Sequence, residues 1–244
     1  MFQLTIGAAL AYVRKALDEI VSVEEIGLLV SPDAVDLGKL VEGSIVEAVV
    51  KTHSQAPSVM IDGVKAEHGA EKDYIGVISE DGVITVTMKK DTLRIASVKA
   101  VDSEVVVCDI IPEDSAEGRK QLSRYVRGVP DDPRVVLQKT WADSYKPVLK
   151  YYTCLEPLKP ETVDMTENTP PSSDLEDIPS IDLDGYSPLE IYFVPYPKVE
   201  DESVMICPKL EYAVLNELTA MVLDSLSEHD KASLYREKAV KYTE

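Results

Sequence analysis

Histidine, cysteine and glycine are scarce in this chain of 244 residues, which has three histidines, three cysteines and eleven glycines. The glycines are scattered singly, and neither G-x-G-x-x-G nor G-x-x-x-x-G-K-[ST] occurs. Both patterns make backbone loops that cradle phosphate groups. We therefore expect neither a dinucleotide-binding protein nor a P-loop nucleotide enzyme.

The cysteines and histidines form no pattern typical of a metal or catalytic site. The cysteines are Cys108, Cys154 and Cys207. They are odd in number and include no C-x-x-C pair, which argues against a disulfide framework or a zinc site and fits a reducing cytoplasm. The histidines are His53, His68 and His229. None has a recognised spacing to a cysteine, a serine or a second histidine, so we interpret all three as polar surface positions.

A long apolar run is also missing. Residues 1–6 lead straight into a charged helical pattern, so we expect no signal peptide and no membrane span. Asp182, Asp184 and Gly185 match part of a calcium loop, but the first carboxylate and the final bidentate glutamate are missing. We interpret this string as an acidic linker and turn, and predict no metal and no other cofactor.

Acidic residues are abundant: 44 against 25 basic ones give a net charge of −19. Residues 1–88, 89–159 and 160–244 carry 6 − 14 = −8, 13 − 11 = +2 and 6 − 19 = −13, so the middle is nearly neutral between acidic flanks. A nucleic-acid grip needs a basic excess, whereas an acidic surface suits DNA that must pass without sticking. Solubility alone is the simpler explanation of the charge.

Apolar residues recur at helical spacing at both ends of the chain. Residues 1–60 contain two such stretches, near 6–20 and 37–49. Residues 188–244 begin with a strand-like segment and continue through an acidic turn into a helix over 208–226. A shorter, tyrosine-faced helix follows, for which Ser227 and Asp230 suggest a capping box. We predict that these helices pack together.

Between residues 70 and 156 the apolar period changes to two, which predicts strands. Asp81-Gly82 between 75–79 and 83–88 predicts a hairpin. Further strands are predicted at 93–101, 104–111, 134–140 and 148–155. The strand at 104–111 is predicted to be buried. A short helix is predicted over 115–126. It is the most basic element, and the residues that mark it are Arg119, Lys120, Arg124 and Arg127.

Residues 157–187 have a different composition. From 160 to 187 there are eight acidic and no basic residues, with several prolines. Such a segment buries too little apolar area to offset its ordering entropy, so we predict either disorder or an extended arm on a neighbour. Leu175, Ile178 and Ile181 favour the arm, because isolated aliphatic side chains could enter pockets on another subunit.

The order of these elements predicts an α+β fold. In it, a bundle of N-terminal helices (1–60) and a strand with C-terminal helices (188–244) carries a large antiparallel β insertion (70–156) and the acidic segment (157–187). Tyrosine is the one enriched functional residue, with twelve against two phenylalanines and one tryptophan. Tyrosine suits half-buried subunit interfaces, although a core bordered by water would use it too.

The ending of the chain resembles a known family. A proline-bracketed strand leads to Ile206-Cys-Pro208-Lys-Leu210-Glu-Tyr212 and a helix with Leu218-Thr-Ala220-Met-Val222, and Tyr235 to Tyr242 follow in a short helix. This arrangement resembles the C-terminal half of the head-to-tail adaptors of tailed bacteriophages. With its acidic insertion the chain looks most like the first ring protein below the portal in crAss-like phages. The resemblance covers 188–244 well and the middle hardly at all.

The resemblance implies a structural virion protein without enzymatic activity, assembled in the host cytoplasm as a homo-oligomeric ring, usually twelvefold. Such a ring docks on the portal protein, continues the channel for double-stranded DNA and seats the next ring or tail protein. On this sequence the portal-docking candidates are Tyr235, Arg236, Lys241 and Tyr242. The candidates for contacts with neighbouring subunits or the next ring are Arg119, Arg124, Arg127, Leu175, Ile178 and Ile181.

Two other readings stay open at this point. An acidic interaction or regulatory module, not an enzyme, would wrap a partner with residues 160–187 or mimic nucleic acid. A hydrolase with a carboxylate-based site is neither indicated nor excluded by the residues.

Overall fold

The computed structural model describes residues 1–20, 36–69, 72–78, 83–101, 103–123, 126–129, 131–138, 147–152 and 189–243. The predicted acidic segment 157–187, with Leu175, Ile178 and Ile181, lies outside the described residues, as does Arg124. The described part combines helices with several sheets, which confirms the α+β class.

The described helices are α1 (Ile6–Ile20), α2 (Leu37–Gln55), α3 (Ala116–Lys120), α4 (Glu211–Ser225) and α5 (His229–Lys241). Two short 3-10 helices cover Ser58–Met60 and Pro208–Leu210. None of the helices in the described ranges is both long and apolar enough to cross a membrane.

The strands form three sheets within the described residues. They are β1 (Phe2–Thr5), β2 (Val64–Lys65), β3 (Tyr74–Ile78), β4 (Ile84–Met88), β5 (Thr92–Ala100), β6 (Val106–Val107), β7 (Ile110–Pro112), β8 (Arg134–Gln138), β9 (Val148–Tyr152), β10 (Leu189–Pro195), β11 (Val199–Glu200) and β12 (Ser203–Ile206). Their orders are β1-β12-β11, β2-β10-β5-β6 and β3-β4-β9-β8-β7.

The chain divides into two compact units. The helical unit comprises residues 1–64, 93–96 and 192–244, and the β unit comprises 65–92 and 97–191. The main core of the helical unit is built from α1, α2, α4 and α5 together with β1 and β12. Helix α4 is buried nearly all round: its residues 213–220 are all shielded from solvent. A helix that is covered on every side lies in the centre of a core, and α4 does so although Asn216, Glu217 and Thr219 are among its buried residues.

Helix α4 begins and ends with defined local structure. Pro208 opens the 3-10 turn that precedes it, a position where a missing N–H costs little. At the other end Ser227 has φ 65°, and the Glu228 N–H bonds to the Leu223 carbonyl at 2.9 Å, the pattern of a Schellman cap. The predicted capping box at Ser227 is therefore wrong, because Ser227 closes α4 and its side chain makes no cap for α5.

Strand β1 was not predicted. Its four residues pair antiparallel with β12, from Phe2 opposite Ile206 to Thr5 opposite Ser203. Strand β11 pairs with the other edge of β12, so the segment predicted as an acidic turn is the tip of a β-hairpin. The hydrogen bonds of this small sheet link the first residues of the chain to the segment that leads into α4.

The β unit contains the five-stranded sheet. The predicted hairpin is confirmed by β3 and β4, which pair antiparallel from Tyr74 opposite Met88 to Ile78 opposite Ile84. The predicted antiparallel pairing of the two later strands is confirmed by β8 and β9. Strand β7 adds to β8 in the parallel direction.

Two predictions in this part of the chain are wrong. The segment 104–111 is not one buried strand. It splits into β6, which pairs with β5, and β7, which pairs with β8, and exposed Cys108 and Asp109 lie where the chain changes partner. The basic helix predicted over 115–126 is only α3, because the next side chain, that of Gln121, turns inward to bond Gly128.

Candidate interaction surface on the terminal helix

Helix α5 lies against α4 and has a narrow buried face. Ala232, Tyr235 and Ala239 recur at spacings of three and four and are buried, the first two in the main core. Tyr235 is the only large side chain among these three. The anchoring of α5 by apolar contacts therefore depends mainly on one aromatic ring between two alanines.

Ion pairs add to this anchoring. The carboxylate of Asp224, at the end of α4, accepts hydrogen bonds from His229 Nδ1 at 3.0 Å and from the Arg236 guanidinium. These bonds, that from His229 first, lower the pKa of Asp224 below its ordinary value. Because Asp224 stays ionised, it holds both the first turn and the middle of α5.

A buried carboxylate extends the same network to α2. Glu217 on α4 is 4% exposed, and its Oε1 lies 2.5 Å from Lys51 Nζ on α2 and 3.9 Å from Arg236 Nε. A carboxylate at this depth requires cationic partners, because removing an unpaired charge from water costs on the order of several kcal/mol. Arg236 thus stands between two acids of α4.

Four tyrosines from three helices meet beside this network. The Tyr12 hydroxyl of α1 donates to Asn216 Oδ1 at 3.4 Å, and burial raises the pKa of Tyr12, with Tyr235, Tyr242 and Tyr212 adding to the shift. The rings of Tyr212 and Tyr242 stack, with centroids 5.6 Å apart and planes at 27°. This stack joins the first turn of α4 to the end of α5.

The outer side of α5 and the stacked pair carry exposed apolar side chains, which lie on more than one side of the helix. Tyr212, Leu234, Val240 and Tyr242 are between 49% and 55% exposed, and Lys241 is exposed beside them. We call these five residues the terminal surface. Tyrosine rings with an apolar body and a polar tip are enriched at protein interfaces. The terminal surface thus has the composition of a protein contact.

The structure separates the four predicted docking residues. Lys241 and Tyr242 lie on the terminal surface. Tyr235 is 4% exposed, with Lys238 Nζ 4.1 Å from its ring centroid, and Arg236 is engaged with Asp224 and Glu217. Tyr235 and Arg236 therefore position the helix that carries the other two.

Sequence reasoning missed three members of the terminal surface. Leu234 and Val240 stand outside the predicted stripe of α5, and the helical period alone could have placed them on its outer side. Tyr212 lies on a different helix, and its contact with Tyr242 spans thirty positions of sequence. No local pattern predicts that stacking.

The predicted contact residues in the β unit differ in exposure. Arg119 is exposed, and its Nε lies 3.4 Å from the Ser115 carbonyl oxygen. Arg127 is half-buried, with its guanidinium carbon 5.8 Å from the centroid of the Tyr152 ring.

The prediction for His53 is wrong, because this side chain is fully buried in the helical unit. Its Nδ1 lies 2.9 Å from the Val49 carbonyl oxygen, and its Nε2 lies 3.0 Å from the Cys207 amide nitrogen, which donates to it. The ring is therefore neutral, with the proton on Nδ1. Burial lowers the pKa of His53 and so favours this form. The side chain joins the end of α2 to the segment before α4.

No arrangement for metal binding is present among the residues that the structure describes: it brings no three His, Cys, Asp or Glu side chains into a ligand group. In the β unit an open depression of about 560 Å³ is lined by residues 65–69, Val101, Leu189 and Glu190. The Lys65 Nζ to Glu190 Oε1 pair, 2.6 Å long, crosses its wall. The hydrogen bond and the charge of Lys65 lower the pKa of Glu190 below its ordinary value.

Comparison of the chain with protein-family models, with curated proteins and with solved structures finds no match in any of the three.

Proposed function

We propose that the chain is a ring-forming head-to-tail adaptor of a tailed bacteriophage. In this proposal it is a structural protein of the virion, without enzymatic activity. It docks on the portal protein through the terminal surface, continues the channel for double-stranded DNA and seats the next tail component. The N- and C-terminal helices form a bundle in the ring wall, and the β unit is inserted between them in the sequence.

The observation that carries the proposal is the terminal surface. Its two aliphatic side chains and Tyr242 are held on a helix fixed by Tyr235, Arg236 and Asp224, and Tyr212 of α4 stacks on Tyr242. A rigid, half-exposed aromatic patch loses little entropy when a partner covers it, so it suits docking. The shared core of α1, α2, α4 and α5 supports the bundle of the ring wall.

The charge of the chain supports passage of DNA. With 44 acidic and 25 basic residues, a ring of such subunits repels phosphate instead of gripping it. We propose that acidic residues face the channel. Placement of the acids on the outer surface of an assembled ring would contradict this part of the proposal.

Co-assembly with a portal is the experiment that tests the function. Purified chain is mixed with portal rings of the same virus, and binding is measured by co-sedimentation and by electron microscopy of the complexes. The variants are Tyr212→Ala with Tyr242→Ala, and Lys241→Glu. Removing two interface aromatics is expected to weaken binding at least about tenfold, since truncation of a tyrosine at an interface hot spot costs about 2 kcal/mol or more.

The control is Val59→Ser in the helical unit, because Val59 is 80% exposed and is not part of the terminal surface. This variant should bind as the original chain does. Absence of any complex between the chain and portal rings refutes the adaptor function. Equal binding by the double tyrosine variant and the original chain refutes the assignment of the terminal surface.

A further inference from the structure

In the β unit, Gln121 and Gly128 are joined by a hydrogen bond, and exposed apolar side chains lie beside both among the described residues. Gln121 is 2% exposed, and its Oε1 accepts a hydrogen bond from the Gly128 amide at 2.9 Å, which closes the loop. A Cβ on Gly128 would lie 2.5 Å from the Tyr152 carbonyl oxygen and 2.7 Å from the Arg134 nitrogen, so the loop end is packed on β8 and β9. The base of the loop is therefore rigid.

Large apolar side chains point away from this base. Leu122 is 60% exposed and Val126 is 57% exposed, and Val129 beside them is also exposed. Arg119 is exposed at the end of α3, and Arg127 has a buried Nε without a hydrogen-bond partner in the described part. We call these five residues the loop patch. Apolar and basic side chains on a pinned loop are typical of a binding loop.

A second surface, on the helical unit, has the opposite charge. The β11–β12 hairpin has Glu200, Asp201 and Glu202 exposed at its tip, flanked by exposed Val199 and Met205. We call residues 199–205 the acidic hairpin. Like the loop patch, it combines charge with exposed apolar side chains.

The backbone of this tip is unusual for glutamate at its second central position, Glu202. Asp201 and Glu202 have φ values of 49° and 55°. Two successive positive φ angles are typical of a tight hairpin turn, for which Asn-Gly is the preferred pair. Glutamate in this conformation is strained, since its Cβ crowds the backbone. Asp201 suits the first position of such a turn, so the strain lies at Glu202, and a strained acid at an exposed tip suggests a role for its charge.

We propose that the loop patch of one copy of this chain binds the acidic hairpin of a second copy. Arg119 and Arg127 of the loop patch are opposite in charge to the acids of the hairpin, and each surface adds apolar side chains that the contact would cover. They are different surfaces of the chain, so the contact is head-to-tail, and head-to-tail contacts produce rings or open filaments. This contact would join neighbouring subunits of the proposed ring. That the contact closes a ring, and not an open filament, rests on the proposed function.

Sedimentation velocity from about 1 µM to about 1 mM, at low and at high salt, measures the contact without any portal. The original chain should self-associate, and salt should weaken the association because both surfaces are charged and exposed. Arg119→Glu and Glu200→Lys should each weaken it at least about tenfold. The control Lys39→Glu reverses a charge on a side chain that is 82% exposed on α2, and should associate as the original chain does.

A mixture of the two variants identifies a head-to-tail contact. An Arg119→Glu copy keeps an intact hairpin, and a Glu200→Lys copy keeps an intact loop patch. Each variant alone should associate weakly, whereas the two mixed in equal amounts should associate more strongly, because the intact hairpin of one meets the intact loop patch of the other and the two altered surfaces also have opposite charge. The variant Asp201→Asn with Glu202→Gly suits the turn but removes two charges, so it should keep the hairpin and lose the association.

Self-association that none of these variants weakens overturns the inference, as does a chain that stays monomeric at every concentration. Weaker DNA binding by Arg119→Glu with unchanged self-association would overturn it in favour of a phosphate partner. The outcome of the portal-binding experiment is independent of the outcome of the self-association experiment. A chain that self-associates as described but binds no portal refutes the adaptor function and leaves the subunit contact standing.

Discussion

Burial of a neutral histidine makes the stability of the helical unit depend on pH. His53 Nε2 accepts the Cys207 N–H, so protonation of Nε2 would place two N–H groups against each other. Burial, and to a lesser extent the charge of Arg94, lowers the pKa of His53 in the folded chain. In the unfolded chain a histidine takes up a proton below about pH 6.5.

The sign of the effect follows from the protons bound by each state. Below about pH 6.5 the unfolded chain binds a proton at position 53 that the folded chain does not, so the free energy of unfolding falls as pH falls. With the folded ring neutral throughout, the contribution of this site from about pH 8 to about pH 5.5 is RT ln(1 + 10), or about 1.4 kcal/mol. Below the pKa of His53 in the folded chain, the folded and unfolded states bind equal numbers of protons at this site. The free energy of unfolding then stops falling on account of His53.

Urea unfolding followed by circular dichroism at 222 nm measures this difference, since most helix lies in the helical unit. The matched variant is His53→Gln, whose amide oxygen can accept the Cys207 N–H but does not titrate. The original chain should lose more than the variant between the two pH values, up to about 1.4 kcal/mol. The other ionisable groups are common to both chains and cancel.

Equal pH dependence of the two chains would refute the reasoning. A direct check is the nuclear magnetic resonance titration of the His53 ring protons. They should not shift between about pH 8 and about pH 5.5, whereas a midpoint near the ordinary value of about 6.5 would show that burial does not keep the ring neutral.

Other substitutions have equally defined outcomes. Gly128→Ala should destabilise the chain by about 1–3 kcal/mol in urea unfolding because its Cβ would meet backbone atoms. Gly43→Ala on α2, where a Cβ meets nothing within 4 Å, should instead stabilise it by about 0.5–1 kcal/mol; a loss would contradict the packing described. Tyr235→Ala should cost about 3–5 kcal/mol and Tyr242→Ala less than about 1 kcal/mol, since one ring is buried and the other half-exposed. The Cys207 thiol, buried and with its pKa raised by that burial, should react with a thiol reagent far more slowly than exposed Cys108, as mass spectrometry of the labelled chain can measure.

The elements that could be predicted from sequence are those with a strong internal period. Helices α1, α2, α4 and α5 each show apolar residues at helical spacing, and β3 and β4 alternate around Asp81-Gly82. Their side-chain pattern is local, so it can be read without knowing what covers it. Some ends of helices also depend on nearby residues, and α2 ends two residues before Pro57, where a helix is disfavoured.

Elements defined by a distant partner could not be predicted. Strand β1 has only four residues, and its partner β12 lies about two hundred positions further along the chain. The apolar run at 104–111 gives no sign that its two halves pair with different strands, β5 and β8. His53 looked like a polar helix end because its partner, the Cys207 amide, is also remote. In each case the local pattern is compatible with several partners, and packing decides between them.

The terminal helix shows why a docking residue and a positioning residue are hard to separate by deletion. Helix α5 has thirteen residues, a length at which an isolated helix is marginal in water. Its order therefore depends on Tyr235 in the core and on Arg236 with Asp224. Removal of residues 228–244 would take away the terminal surface and also uncover α4, so lost assembly would have two explanations. Single changes at Tyr242 or Lys241 leave those anchors in place, and only they can assign a loss of portal binding to the surface itself.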